Sequence, residues 1–258
     1  MLVAAAGLGL LIGLIVGSLG GGGAILALPV LVYVLDQPIG PASTASLVVV
    51  AVAAGIGAGA LAARRQVCWR LALTFSAPAA AGALLGALAN TAVSPRVLVL
   101  SFVPVMLGAA IATWARAGMA EPDVERACPQ PRTDRIVVAG VSVGLLTGFF
   151  GVGGGFLIVP VLTLWMDAGF RRAVATSLVI ITLTGSAALV SHLLAGATIS
   201  ADVTAALALP TALGAAGGAL VSARLPQALL GRVFAVVVAS LACLLLLDVL
   251  ALGGPPGS

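Results

Sequence analysis

Two glycine clusters have the spacing most suggestive of chemistry: Gly20 to Gly23 in an unbroken row, and Gly151, Gly153, Gly154 and Gly155 interrupted by one valine. Apolar residues flank both, so each reads as a break between two short helices in a hydrophobic setting. Peptide groups without a partner are costly in hydrocarbon, so such a break survives only when packed in protein or lining a wet cavity. Glycine admits a ligand close to the backbone. The helix that restarts after the break aims its unpaired N–H groups and the positive end of its dipole at that ligand. Restarts at Ala24 and Gly155, facing one another, would build an anion site near the midplane from backbone alone. Its candidate contacts are Gly20, Gly22, Gly23, Gly151, Gly153 and Gly154.

A second repeated polar feature adds hydroxyls. Ser43 to Ser46 is matched by Ala175 to Ser177, each at the start of a long apolar run. Ser46 and Ser177 are candidate donors to the same anion. The competing fate of such hydroxyls is to cap the helix or bond back to a carbonyl of the previous turn, which is commoner. For Gly13 with Gly17, and for Gly144 with Gly148, close helix packing is the preferred reading. Pro29 and Pro160 read as kinks in short helices.

Other chemistries find no support. No nucleophile beside a base, phosphate-binding loop or metal-ligand spacing occurs, so no catalytic residue, metal or cofactor is expected. His192 falls near the end of its apolar run and reads as an interfacial or packing histidine. Asp248 lies near the outer end of the last run, and Asp36 and Asp167 fall in turns after the short helices. With no carboxylate at midspan, an acidic proton relay or sodium cage is poorly supported.

The elements that must position these groups belong in lipid. Apolar residues make up 61% of the 258-residue chain and charged residues 8%, which no soluble domain of this length shows. Apolar runs lie at about 2–17, 24–35, 43–63, 71–90, 97–115, 136–150, 155–166, 173–195, 201–223 and 229–251. Six are long enough to cross the ~30 Å hydrocarbon core as helices, and four are short. The first run lacks a basic preceding region and leads directly into glycines, so it reads as part of the mature protein. The net charge of +4 comes from arginine without lysine, and no nucleic-acid patch is expected. Cys68, Cys128 and Cys243 lie far apart without a C-x-x-C pair and read as free thiols.

The chain is a duplication. Displacing it by 131 positions pairs 13–48 with 144–179 at 15 identities in 36, including Gly17 with Gly148, Gly20 with Gly151, Pro29 with Pro160 and Ser46 with Ser177. With a one-residue shift Pro78 pairs with Pro210, Gly82 with Gly214 and Gly86 with Gly218. The expected organisation is therefore a first transmembrane repeat at 1–115, a cytoplasmic linker loop at 116–135 and a second repeat at 136–258. If each glycine-linked pair is a hairpin followed by three full spans, the repeats are inverted and eleven of the twelve arginines fall inside, with Arg96 alone outside. A single crossing by each pair would make the repeats parallel and divide the arginines 7 to 5. The first arrangement is preferred, with both termini outside.

These residues carry a family resemblance. The segments G-L-I-V-G-S-L-G-G-G-G-A-I-L-A-L-P at 13–29, A-S-T-A-S-L at 42–47, G-L-L-T-G-F-F-G-V-G-G-G-F-L-I-V-P at 144–160 and A-V-A-T-S-L at 173–178 make the chain similar to the sulfite exporter TauE/SafE family, also called the toluene sulfonate uptake permeases. The first motif departs from the second in having Ser18 and Leu19 where Phe149 and Phe150 stand. The resemblance implies a multi-pass permease of the plasma membrane, the bacterial inner membrane, that moves sulfite, sulfonates or related anions. The expected fold is all-α and integral to the membrane. Its two inverted repeats each hold a short-helix hairpin and three spans, working by alternating access. Its partners are a small anion and the lipid bilayer, and a homodimer is an assembly this reading allows. An anion channel, or a carrier of other carboxylates and oxyanions, is the alternative. A channel more often builds its pore from several subunits and needs no inverted duplication. A membrane enzyme or scaffold should show a catalytic constellation or a soluble domain, and the sequence has neither.

Overall fold

The computed structural model describes residues 2–21, 26–27, 30–35, 37–90, 95–118, 128–150, 155–194, 196 and 201–251. Among these, all regular structure is helical: α1 (Leu2–Leu19), a π-helical turn (Val30–Val34), α2 (Ile39–Ala62), α3 (Trp69–Asn90), α4 (Pro95–Gly118), α5 (Thr133–Phe150), α6 (Gly155–Leu164), α7 (Phe170–Leu194), α8 (Ala201–Ser222) and α9 (Gln227–Ala251). Seven of them, α2 to α5 and α7 to α9, are long and apolar enough to cross a membrane. Large side chains such as Leu88, Leu194 and Leu213 stand exposed, as a surface facing lipid allows.

The limbs of the second glycine-linked pair are unequal, which differs from the expectation of two short helices, and the first limb of the first pair is as long as its repeat mate. α1 and α5 each hold 18 residues, about 27 Å at the α-helical rise. α6 holds 10. In α5 the extra turn comes from Thr133 to Arg135, polar residues that hydropathy assigns to the linker. Asp134 in the first turn favours a helix start there. Pro160 lies inside α6, whereas Pro29 is outside the described residues.

Glycines determine which helices meet. A Cβ added at Gly13 or Gly17 of α1 would overlap the backbone of α8 at Thr211 and Ala215, and one at Gly214 or Gly218 of α8 would strike α1 at Leu10 and Leu14. The second half repeats the arrangement. Gly144 and Gly148 of α5 press on Ala79 and Ala83 of α3, while Gly82 and Gly86 of α3 press on Val141 and Leu145 of α5. Both pairs run parallel. Without a hydrophobic force between helices in lipid, such backbone proximity supplies the dispersion contact that joins them.

The two remaining repeat-related pairs run antiparallel. Thr44 meets His192, Ala51 meets Gly185, Gly55 meets Thr182 and Gly57 meets Leu178 along the α2–α7 crossing. Ala117 and Trp114 of α4 meet Gly231 and Arg232 of α9. Turns recur as well. Arg65 (φ 56) and Gly196 (φ 82), 131 positions apart, occupy the same left-handed turn after α2 and α7, each N–H bonded three residues back.

One end of the bundle gathers arginine. Arg171 Nη2 donates to the Leu225 carbonyl at 2.7 Å, Arg172 Nη1 reaches the Arg65 carbonyl at 3.4 Å, Arg116 pairs with Asp167, and Arg232 lies 5.9 Å from the Trp114 ring centre. Arg64, Arg70, Arg132, Arg135 and Arg224 follow from the same loops and helix ends, and Arg96 begins α4 at the opposite end. Arg126 is outside the described residues.

The cysteine expectation is corrected here. Cys68 and Cys128 form a disulfide, bridging the loop before α3 to the linker, and Cys243 is the free, exposed thiol. Their separation of 60 residues conceals the proximity. α2 and α4 both end at the arginine-rich end, so the α2–α3 loop and the linker leaving α4 are brought alongside.

Candidate functional site

α1 ends where its glycines begin. The Gly20 N–H still bonds the Val16 carbonyl at 2.8 Å, after which Gly20 (φ 71) and Gly21 (φ 123) turn the chain through backbone angles that side chains rarely adopt. Gly21 then lies directly against Gly155, the first residue of α6. A Cβ on Gly155 would stand 3.1 Å from the Gly21 Cα, and one on Gly21 would stand 2.6 Å from the Gly155 carbonyl carbon. The first break of one half thus abuts the helix restart of the other.

Ser177 fixes this junction. Its hydroxyl, fully buried, lies 2.8 Å from the Gly20 carbonyl and 2.8 Å from the Val174 carbonyl of its own helix. A hydroxyl has one proton, so the two carbonyls share it. Sequence reasoning placed Ser177 beside the glycines, but did not foresee that a carbonyl 157 residues away would be its acceptor. Ser46, its repeat mate, is half-buried and bonds the Ser43 carbonyl at 2.7 Å. That is the back-bonding expected of such hydroxyls. Gly22, Gly23, Gly151, Gly153 and Gly154, with the restart at Ala24, lie outside the described residues.

The restart at Gly155 is where the sequence put it. Phe156 to Val159 are buried, so the first turn of α6, whose N–H groups have no partner within the helix, opens inside protein. The surroundings are apolar: Phe102 stands 4.8 Å from Phe150 and 5.3 Å from Phe156, ring centre to ring centre, and Phe149 stacks edgewise on Phe150. This aromatic wall escaped the sequence reading. Its signal was the Phe149–Phe150 departure between the two motifs. In so apolar a setting a hydrogen bond or dipole acts more strongly than in water.

The remaining polar groups fall elsewhere. His192 Nδ1 meets the buried Thr44 Oγ1 at 3.3 Å across the α2–α7 crossing, in keeping with a packing histidine. Asp167 (φ 54) sits in the turn after α6, where the Ala168 N–H bonds the Leu162 carbonyl at 3.0 Å. Asp36 is outside the described residues, and Asp248 lies within α9. Among the described residues no group of three or more His, Cys, Asp or Glu side chains could hold a metal.

A bundle of membrane-length helices in two related halves, with a glycine break against a buried helix restart, is the architecture of a multi-pass membrane protein. The family model described as sulfite exporter TauE/SafE matches residues 5–245. The chain belongs to that family. It is 36% identical over 183 residues, 69% of the chain and 68% of the relative, to a "Probable membrane transporter protein" of Xylella fastidiosa strain Temecula1. A protein of the same description from strain 9a5c is 33% identical over 183 residues, again 69% of the chain and 68% of the relative. A shorter similarity, 38% over 66 residues, covers 26% of the chain and 24% of a "Probable membrane transporter protein MJ0441" of Methanocaldococcus jannaschii. No solved structure matches significantly.

Proposed function

We propose that the protein carries small sulfur-containing oxyanions, sulfite or sulfonates, across the plasma membrane by alternating access of two inverted halves. The observation that carries this reading is the junction of Gly20 and Gly21 with the N-terminus of α6, held by Ser177. Backbone N–H groups at Gly22, Gly23, Gly151, Gly153 and Gly154 hold the anion, supported by the Ser46 and Ser177 hydroxyls, while Gly20, whose own N–H stays with the Val16 carbonyl, contributes the turn that opens the break. For Ser177 this requires its proton to leave the Gly20 carbonyl, so anion binding and release of the break are one event. The role requires no catalytic step.

Inversion is supported by the antiparallel crossing of repeat mates α2 with α7 and α4 with α9, which a twofold axis in the membrane plane produces. The gathering of arginine at one end supports placing that end, with the linker, in the cytoplasm. Single cysteines at Ala120 and Ala197 in a cysteine-free background should label from opposite sides. Equal accessibility would remove the inverted arrangement.

Flux into proteoliposomes tests the substrate. Sulfite uptake should saturate and be competed by sulfonates, with little effect of amines, because the site offers donors and no fixed negative charge. Competition by amines alone would overturn the reading.

A further inference from the structure

The Cys68–Cys128 disulfide lies at the arginine-rich end, against α7. Arg172 Nη1 is 3.4 Å from the Cys128 sulfur, and Arg172 Nε is buried without a hydrogen-bond partner among the described residues. Cys68 is 3% exposed and Cys128 half-buried, so Cys128 is the more accessible residue of the two. The Ala72 N–H bonds the Cys68 carbonyl at 2.9 Å, which places Cys68 at the N-terminus of α3. A thiolate there faces the positive end of a helix dipole.

We propose that this disulfide is a sulfite-opened tether between the linker and the transport unit, an inference that rests on sulfur oxyanions being the substrate class. The sulfur lone pair of sulfite attacks Cys128 Sγ, a new S–S bond forms there, and the Cys68–Cys128 bond breaks with its electron pair on Cys68. The products are S-sulfocysteine at position 128 and a thiolate at Cys68, which takes a proton from water. No outside oxidant or reductant is consumed. The step runs backwards when sulfite falls, because the Cys68 thiolate can expel sulfite from position 128. Arg172 attracts the dianion to the attacked sulfur, and its idle Nε–H offers a donor to the new sulfonate. The rate of such exchange rises with the stability of the leaving thiolate, which the α3 terminus favours.

The tether is connected to the glycine break. The Cys68 N–H donates to Thr176 Oγ1 at 3.2 Å, and the next residue, Ser177, holds the Gly20 carbonyl. Opening the disulfide frees the linker from the loop that carries this contact. A disulfide on the cytoplasmic side is uncommon as a permanent staple and typical of transient or sensing roles.

The experiment uses the full chain with Cys243→Ser in lipid nanodiscs, treated with sodium sulfite and analysed by intact mass and peptide mapping. The expected result is a gain of one H2SO3 per chain, with the sulfonate on Cys128 and one alkylatable thiol at Cys68. Sodium sulfate, which has no sulfur lone pair, should add nothing. Arg172→Gln should slow the reaction about tenfold, the equivalent of one lost charge-assisted contact, while Arg172→Lys restores part of the rate. Two free thiols before treatment, no adduct, an adduct on Cys68, or an unchanged rate in Arg172→Gln would each overturn the proposal. Sulfite flux is measured on the same protein preparations reconstituted into proteoliposomes. Flux without adduct sinks the tether and leaves transport standing, whereas adduct without flux supports the tether chemistry and sinks the substrate reading.

Discussion

The glycines of the helix seams and those of the break do opposite work. At Gly13, Gly17, Gly144 and Gly148 the helix continues undisturbed, and what matters is the missing side chain, because a neighbouring backbone occupies the space. At Gly20 and Gly21 the helix ends, and what matters first is the backbone angle, with Ser177 and Val174 filling the space beside Gly20 and Gly155 that beside Gly21. The seams make α1 with α8, and α5 with α3, into stiff pairs. The break is the place between them where the chain departs from helical hydrogen bonding. Composition alone cannot separate a glycine that holds the protein together from one that lets it act.

The largest effect should come from the seams. Gly148→Val or Gly17→Val would drive a branched side chain into the backbone of the facing helix, costing at least about 1–3 kcal/mol, with more expected where backbone must move. Thermal denaturation in detergent should show a large loss of stability and yield, and added sulfite should not restore it. A wild-type melting curve for both variants would dissolve the distinction drawn above.

The break should respond differently. Gly21→Ala forces an alanine into φ 123, a strain of order 1–3 kcal/mol, and presses on Gly155. Because the spans keep their packing, the protein should still insert and fold while sulfite flux falls sharply. A variant that lost fold and flux in proportion would reassign Gly21 to packing.

A smaller change should follow at the hydroxyls. Ser177→Ala removes one hydrogen bond, worth ~0.5–1.5 kcal/mol, and should weaken apparent sulfite affinity by up to about tenfold. Ser46→Ala, whose partner is its own helix, should be milder. Full wild-type ligand stabilisation in Ser177→Ala, Ser46→Ala and Gly154→Ala would remove these residues from the site while leaving the fold intact.

The smallest effect makes an internal control, since Gly217 and Gly218 are neighbours on α8 with opposite surroundings. A Cβ at Gly217 meets nothing within 4 Å, whereas one at Gly218 meets α1 at Leu14 and Ser18. Gly217→Ala should be neutral or stabilise by up to about 1 kcal/mol through helix propensity. Gly218→Ala should destabilise. The same order in differential scanning fluorimetry sharpens the comparison, and equal effects would break it.

Much of the architecture was legible without coordinates. Hydropathy located the spans because hydrocarbon demands helices of a minimum length. The 131-residue displacement exposed the duplication, and glycine runs marked the break because helices rarely tolerate them. Other features were legible only in part. The polar start of α5 was assigned to the linker because hydropathy registers burial in lipid but not a helix that begins outside it.

What the sequence determined by itself are local properties: which segments are helical, where helices stop, and which two halves are alike. Tertiary structure alone decided that α1 seats on α8, that Cys68 meets Cys128, and that Ser177 holds Gly20. The physical reason lies in the solvent. In water an apolar face betrays the core, but in lipid Leu213, exposed at 71%, and Leu207, fully buried, look alike. Helix pairing then depends on the fit of small residues between backbones, and that fit exists only once both helices are in place.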